Sequence, residues 1–405
     1  MNALVVDREL WTRSGEALLG DAIALRRAIH AEPEIGLDCP KTTAKIRRAL
    51  EGLPLELREG PSTSGLIAIL RGSENGRTVL LRGDMDALPL HEDTGLDFHS
   101  QTEGAMHACG HDTHVAMLAG AARALCAERQ RLNGTVVFMF QPGEEGYHGA
   151  RYMIEDGLLD NPAPDAAFAL HISPNMPAGM FASRAGPLLA SADEFEIVVK
   201  GKGGHGAMPH ETIDPVPIAA EIVLALQTLV SRKTPPNESA VVTVGKILSG
   251  TTDNVIPETA MMIGTLRTLD ERIRTLIHEG VERVATHVAL AHGASAEVEV
   301  TSGFPVTVCD GRIVALAERT AIELFGEAAW RTMPTPMMGA EDFAYVLQKL
   351  PGAMAFLGAV PEGGDYHSCC GLHSNRMVLD ERVMARGVAM HCAMAEAFLN
   401  GEAVV

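Results

Sequence analysis

Thr78-Val79-Leu80-Leu81-Arg82-Gly83-Asp84-Met85-Asp86 is an apolar run that ends in two carboxylates. It reads as a buried strand delivering Asp84 and Asp86 to its carboxyl end. Two further stretches repeat the pattern. Thr135-Val-Val-Phe-Met-Phe140 runs into the breaker-rich loop Gln141-Pro-Gly-Glu-Glu-Gly146, and Ala166-Ala-Phe-Ala-Leu170 runs into His171. Open α/β sheets bind ligands in the crevice outside the carboxyl ends of their strands. Asp84, Asp86, Glu144, Glu145 and His171 are therefore expected on one rim.

Outward from these strands the same alternation continues. Asp21 to Leu50 reads as helical segments and His114 to Glu128 as a small-residue helix packed closely on a sheet. Between 191 and 301 the order changes to strand, helix, strand, strand, helix, strand, the ferredoxin-like βαββαβ unit. Its open sheet edge or a helix face could dimerise. After 302 the α/β pattern resumes. The expectation is a discontinuous larger domain, 1–190 and 302–405, with 191–301 inserted as a lid or dimerisation domain.

A chain of 405 residues exceeds the size at which one hydrophobic core keeps growing, which also favours two domains. With 33 basic against 52 acidic side chains the net charge is -19, which repels nucleic-acid phosphates and anionic lipid surfaces. Small molecules are the expected partners. The seven cysteines, 39, 109, 126, 309, 369, 370 and 392, are an odd number scattered along the chain. They read as reduced thiols in a cytoplasmic protein. The stretch from Met1 to Gly20 mixes charges among its apolar residues, unlike a signal peptide. No apolar run reads as long enough to span a membrane.

The chemistry concentrates in His107-Ala108-Cys109-Gly110-His111-Asp112-Thr113-His114. Such a density of soft and borderline donors suits a divalent transition metal. A structural site would close with paired Cys-x-x-Cys elements, whereas here only Cys109 and His111 stand close together. Glu145, His171 and His373 are candidates for the rest of the shell, and a mixed Cys, His and Glu set leaves room for water. That is a catalytic arrangement. Glu144 beside Glu145 can then stay free to take a proton from the activated water.

Other readings stand beside these. Of the 16 histidines, His30, His91, His99, His148, His278, His287, His292 and His391 have no nearby sequence partner and read as ordinary surface or core residues. Asp112 and His114 are either the first turn of a helix or groups that orient the ligands. Cys109 could instead be a nucleophile activated by His111 or His114. A thiolate held by metal is not free to attack, and Glu144 would then have no task.

Taken together, the motifs resemble the aminoacylase and carboxypeptidase superfamily of metallopeptidases, and within it the branch of hippurate hydrolases, N-acyl-amino-acid amidohydrolases and auxin-conjugate hydrolases. They are Arg82-Gly-Asp-Met-Asp-Ala-Leu-Pro89, Met106 to His114, Gln141 to Gly146, Leu170-His171, Gly201 to His210, Gly250-Thr-Thr-Asp-Asn-Val-Ile-Pro257, Gly339-Ala-Glu-Asp-Phe343 and Leu372-His-Ser374. The resemblance implies a mixed-sheet, zinc-peptidase-like catalytic domain with the inserted ferredoxin-like domain. It implies Cys109, His111, Glu145, His171 and His373 as ligands of one or two Zn, Mn, Co or Ni ions, and Glu144 as the general base. His205 would polarise the scissile carbonyl from a neighbouring subunit of a homodimer or homotetramer. Asn254 and Arg267 would bind the substrate carboxylate. Asp84 and Cys109 stand where many superfamily members carry a metal-binding His and a bridging carboxylate, a pair of departures shared by the hippurate hydrolase branch. The implied reaction is amide hydrolysis of an N-acyl amino acid. A dipeptidase, an N-acetyl-amino-acid deacetylase and a noncatalytic binding protein are the alternatives.

Overall fold

The computed structural model describes residues 7–365, 367 and 370–402. Cys369 and the start of the N-terminal stretch lie outside the described residues. The chain forms two compact units, one of Met1–Gly186, Val308–Pro334 and Tyr345–Val405, the other of Pro187–Thr307 and Thr335–Ala344. The smaller unit thus begins and ends a few residues outside the 191–301 window. It also takes in Thr335–Ala344, where the sequence shows no change of pattern.

The larger unit is built on an eight-stranded mixed sheet in the order Glu56–Glu59, Leu66–Arg71, Gly134–Gln141, Arg77–Asp84, Ala166–Ser173, Gly352–Gly358, Phe181–Ser183, Trp330–Thr332. The three strands singled out above are adjacent and parallel. Asp84 pairs in register with Gln141, and Arg82 with Ala169, so the ends of all three strands reach one level. Their near-continuous apolar runs are buried, as parallel strands covered on both faces require. The strand Ala166–Ser173 runs past the expected Leu170, leaving His171 inside it. The helix His111–Ala127 begins earlier than expected and buries Ala116, Ala119, Gly120, Ala121 and Ala122, which lets it pack closely beside the helix Met384–Leu399.

The smaller unit is a four-stranded antiparallel sheet in the order Ala240–Ser249, Thr259–Thr268, Ala192–Lys200, Ser295–Phe304, with helices Pro215–Thr228 and Glu271–Ala291. This is the ferredoxin-like order, and its core gathers Phe195, Ile197, Ile222, Leu226, Met262 and Ile277. One expectation needs correction here. The helical stretch Pro215–Lys233 has 19 residues and a mean hydropathy of 1.2, long and apolar enough by length and composition to cross a membrane. Ile218, Ile222, Leu226 and Leu229 nevertheless fall on one stripe buried in the core of this unit, while Glu221, Arg232 and Lys233 are exposed. A one-sided stripe is the pattern of a core helix.

Candidate metal centre

The helix His111–Ala127 opens at Gly110, whose φ of 85° is left-handed backbone that a glycine adopts without strain. That turn sets Cys109 just before the helix and His111 on its first residue. His111 Nδ1 lies 2.9 Å from the Asp86 carbonyl, so it carries the proton and leaves the Nε2 lone pair available. His171 is oriented in the same way, its Nδ1 2.7 Å from the Ile172 carbonyl and its Nε2 3.5 Å from Cys109 Sγ. His373 enters from a distant loop, held by its N–H donating to the Ala108 carbonyl at 2.8 Å. Its Nε2 comes 3.4 Å from Glu145 Oε1.

The donor atoms gather into overlapping groups. Cys109, His111 and His171 have donors within 4.8 Å of one another, and so do Cys109, Glu145 and His373. Cys109 belongs to both triads. The structure therefore brings together all five residues expected as ligands.

These residues fit cations on two observations. His111 Nε2 and Glu145 Oε1 are buried and make no hydrogen bond of good geometry, facing instead Asp84 at 3.3 Å and His373 at 3.4 Å, a spacing that a shared cation would satisfy. The surroundings are also anionic. Burial alone would lower the pKa of His111, yet Asp84 and Cys109 push it well above the ordinary value, so a positive charge is favoured there. Burial drives the His171 pKa well down, keeping its imidazole neutral as a donor must be. Burial raises the Cys109 thiol, opposed by the nearby His111 and His373.

The supporting groups divide sharply in role. His114 accepts from the Ile172 N–H at Nε2, 2.8 Å, and meets Asp84 Oδ1 at Nδ1, 2.5 Å. Both nitrogens are engaged, so His114 steadies the strand carrying His171 and has no lone pair left for a metal. Asp84 in turn lies 2.7 Å from the Arg82 guanidinium, which also donates to Gln141. Asp86 accepts from the Glu144 and Glu145 N–H groups at 2.9 and 3.1 Å, fixing the loop that carries both carboxylates. The Glu144 carboxylate comes 3.9 Å from His111 Nε2 and groups with His111 and Glu145. Asp112 turns away from the donors to accept from Arg26 Nε and His30 Nδ1, each at 2.8 Å.

Three residues of this support were missed in the sequence. Arg26, His30 and Glu92 form a buried ion network with Asp112. Nothing in their local sequence signals it, because the partners lie on different elements.

In the smaller unit, Val255 pairs with His205 and the Gly206 N–H donates to the Asn254 carbonyl. The histidine expected to polarise the carbonyl and the asparagine expected to bind the substrate carboxylate are thus neighbours. The His205 Nδ1 accepts from the Ala207 N–H at 3.0 Å, so its proton sits on the exposed Nε2. Arg267 is not brought beside them. It stands near the far end of the strand Thr259–Thr268, its guanidinium bonded to the Leu266 carbonyl and the Thr265 hydroxyl.

The chain is 39% identical over 384 residues to thermostable carboxypeptidase 1 of Saccharolobus solfataricus, covering 93% of this chain and 95% of that one. It is 41% identical over 385 residues to IAA-amino acid hydrolase ILR1-like 2 of Arabidopsis thaliana, covering 94% and 86%. A crystal structure of a dinuclear metal-binding peptidase of the M20 family from Bacillus subtilis superposes with a TM-score of 0.82 at 35% identity, covering 96% of this chain and all of that one. The model of peptidase family M20/M25/M40 matches residues 80–397, the span holding every donor described above, and the chain belongs to that family.

Proposed function

We propose that this chain is a metal-dependent amidohydrolase that cuts the amide bond of N-acyl amino acids, hippurate-like substrates among them, releasing a carboxylic acid and an amino acid. The observation that carries the reading is the pair of donor triads sharing Cys109, with the Glu144 carboxylate close enough to group with His111 and Glu145 at their edge. Cys109, His111, Glu145, His171 and His373 would hold one or two divalent transition-metal ions. When bound, these supply Lewis acidity that brings a water's pKa down to roughly 7.

Glu144 takes the proton as water oxygen attacks the carbonyl carbon, and returns it to the amide nitrogen as the C–N bond breaks. Asp86 keeps the backbone under Glu144 in place during both transfers. His205, with its proton on Nε2, is a ready hydrogen-bond donor for the developing oxyanion, supplied by a second subunit. Asn254, the neighbour of His205, serves the substrate carboxylate. The strand Ala240–Ser249 is an edge of its sheet, with Ile247 50% and Leu248 47% exposed, and offers the surface for a second copy. A reducing, cytoplasmic setting suits a site whose shared donor is a thiol.

Replacing Glu144 by Gln keeps the shape and removes the base. The variant should lose roughly 10²–10⁴ in kcat while its metal content stays at the wild-type level. Near-normal hydrolysis by Glu144→Gln overturns the mechanism. The 39% identity to a carboxypeptidase favours one second reading, cleavage of peptides. Hippurate, N-acetylcysteine and unblocked dipeptides, tested with Zn, Mn, Co and Ni, separate the two.

A further inference from the structure

Among the described residues two non-glycine residues have left-handed backbone, and both are histidines: His148 at φ 59° and His373 at φ 65°. Such backbone is unfavourable for a residue with a Cβ and persists where the surroundings impose it, often at functional sites. His373 has its explanation in the donor cluster. His148 lies outside that cluster, in the loop that carries Glu144 and Glu145.

The loop closes on itself. The Gly149 N–H donates to the Gly143 carbonyl at 3.0 Å, and a Cβ on Gly149 would stand 1.6 Å from the Pro142 carbonyl oxygen. Left-handed backbone recurs at Gly143 and Gly146, where glycine takes it without strain. At His148 glycine would suit the backbone equally well, yet the position holds an imidazole. Its Nδ1 lies 2.9 Å from the Tyr345 hydroxyl, on a short helix, Ala344–Leu347, whose Val346 is fully buried.

We propose that His148 and Tyr345 form a latch that holds the return side of the Glu144–Glu145 loop, as Asp86 holds its outgoing side. Both are positioning residues. Asp86 fixes the backbone nitrogens of the two glutamates, and the latch fixes where the chain leaves them before entering the helix Gly149–Glu155. The carboxylate meant to shuttle the proton then sits between two anchored points, and small displacements of such a group are costly to rate. The inference rests on the role given to Glu144 above.

The test uses His148→Gly, Tyr345→Phe and the double variant in the full-length protein. His148→Gly removes the ring and relieves the backbone, so the melting temperature should hold or rise while kcat falls about tenfold at nearly constant KM and full metal content. Tyr345→Phe should act in the same direction, and the double variant should lose no more than the worse single one. His148→Asn, which tolerates left-handed backbone, should recover part of the rate. Wild-type kcat in His148→Gly, or additive losses in the double variant, overturns the latch. Amide hydrogen exchange of residues 143–149 in Tyr345→Phe, read without substrate, separates this inference from the proposed reaction. Faster exchange than wild type supports the latch even if no substrate is found, and unchanged exchange overturns it.

Discussion

The rim of the larger unit and the glycine-rich loop of the smaller one carry their polar side chains in opposite ways. On the rim, Asp84, His111, Asp112 and His114 are all but inaccessible, and each is tied to at least one partner 25 or more residues away in sequence. In the loop, His205 is exposed and its bonded partner is Ala207, two residues on. A buried, cross-linked constellation is preorganised by the fold that contains it. An exposed one depends on what comes to cover it. Stability and activity should therefore respond separately in the two regions.

The largest effect is expected at Asp112. Replacing it by Asn keeps the volume but removes the carboxylate that Arg26 and His30 share, leaving Arg26 with Glu381 and His30 with Glu92, and breaking a buried pair costs about 3–5 kcal/mol, of which the lower end is expected here. Urea denaturation should show that loss. A stability change below about 1 kcal/mol would mean that the network is hydrated and the contrast between the regions is false.

His205→Ala should behave in the reverse manner, with an unchanged melting temperature and a loss of about 10²–10³ in kcat, the usual size for a lost oxyanion donor. Mixing it with Glu144→Gln sharpens the point. If His205 serves a neighbouring subunit, reassociated mixed dimers regain one intact site, and activity should return to at most about a quarter of wild type. No recovery between fully exchanged subunits would confine His205 to its own chain.

How much of this was legible follows the same division. The rim could be read because parallel strands announce themselves as apolar runs and their ends carry the donors: Asp84, the Glu144–Glu145 loop and His171. The ferredoxin-like order was legible for the same reason. The support behind the rim was not. His30 looks like any helix-end histidine until the fold sets Asp112 and Glu92 on either side of it, because an ion pair is specified by tertiary approach and leaves no periodicity. The ambiguity at His114, helix start or orienting group, needed the Ile172 N–H to resolve it. Thr335–Ala344 was assigned to the larger domain because a chain that returns to another unit for ten residues changes neither composition nor period.

His30 also provides the smallest and most specific of the expected effects. Burial alone would lower its pKa, but hydrogen bonds from its two nitrogens to Asp112 and Glu92 outweigh burial and the repulsion from Arg26, raising it to about 9. In the unfolded chain the same group titrates near 6.5. Between these values the folded protein holds a proton that the unfolded chain has released. The stabilisation is therefore complete below pH 6.5 and drains away as the pH rises through about 9. Glu92 has the opposite sense: burial is outweighed by His30, Thr94 and the Ser100 N–H, which hold it down to about 2, so its contribution is lost as the pH falls through that value. In His30→Gln the alkaline arm should flatten. From pH 6.5 to above 9 the wild type should lose about 3 kcal/mol more stability than the variant, measured by urea unfolding. Parallel curves would show that His30 is neutral in the folded state. Asp112 would then lean on Arg26 alone, and the rim would be less tightly cross-linked than its burial suggests.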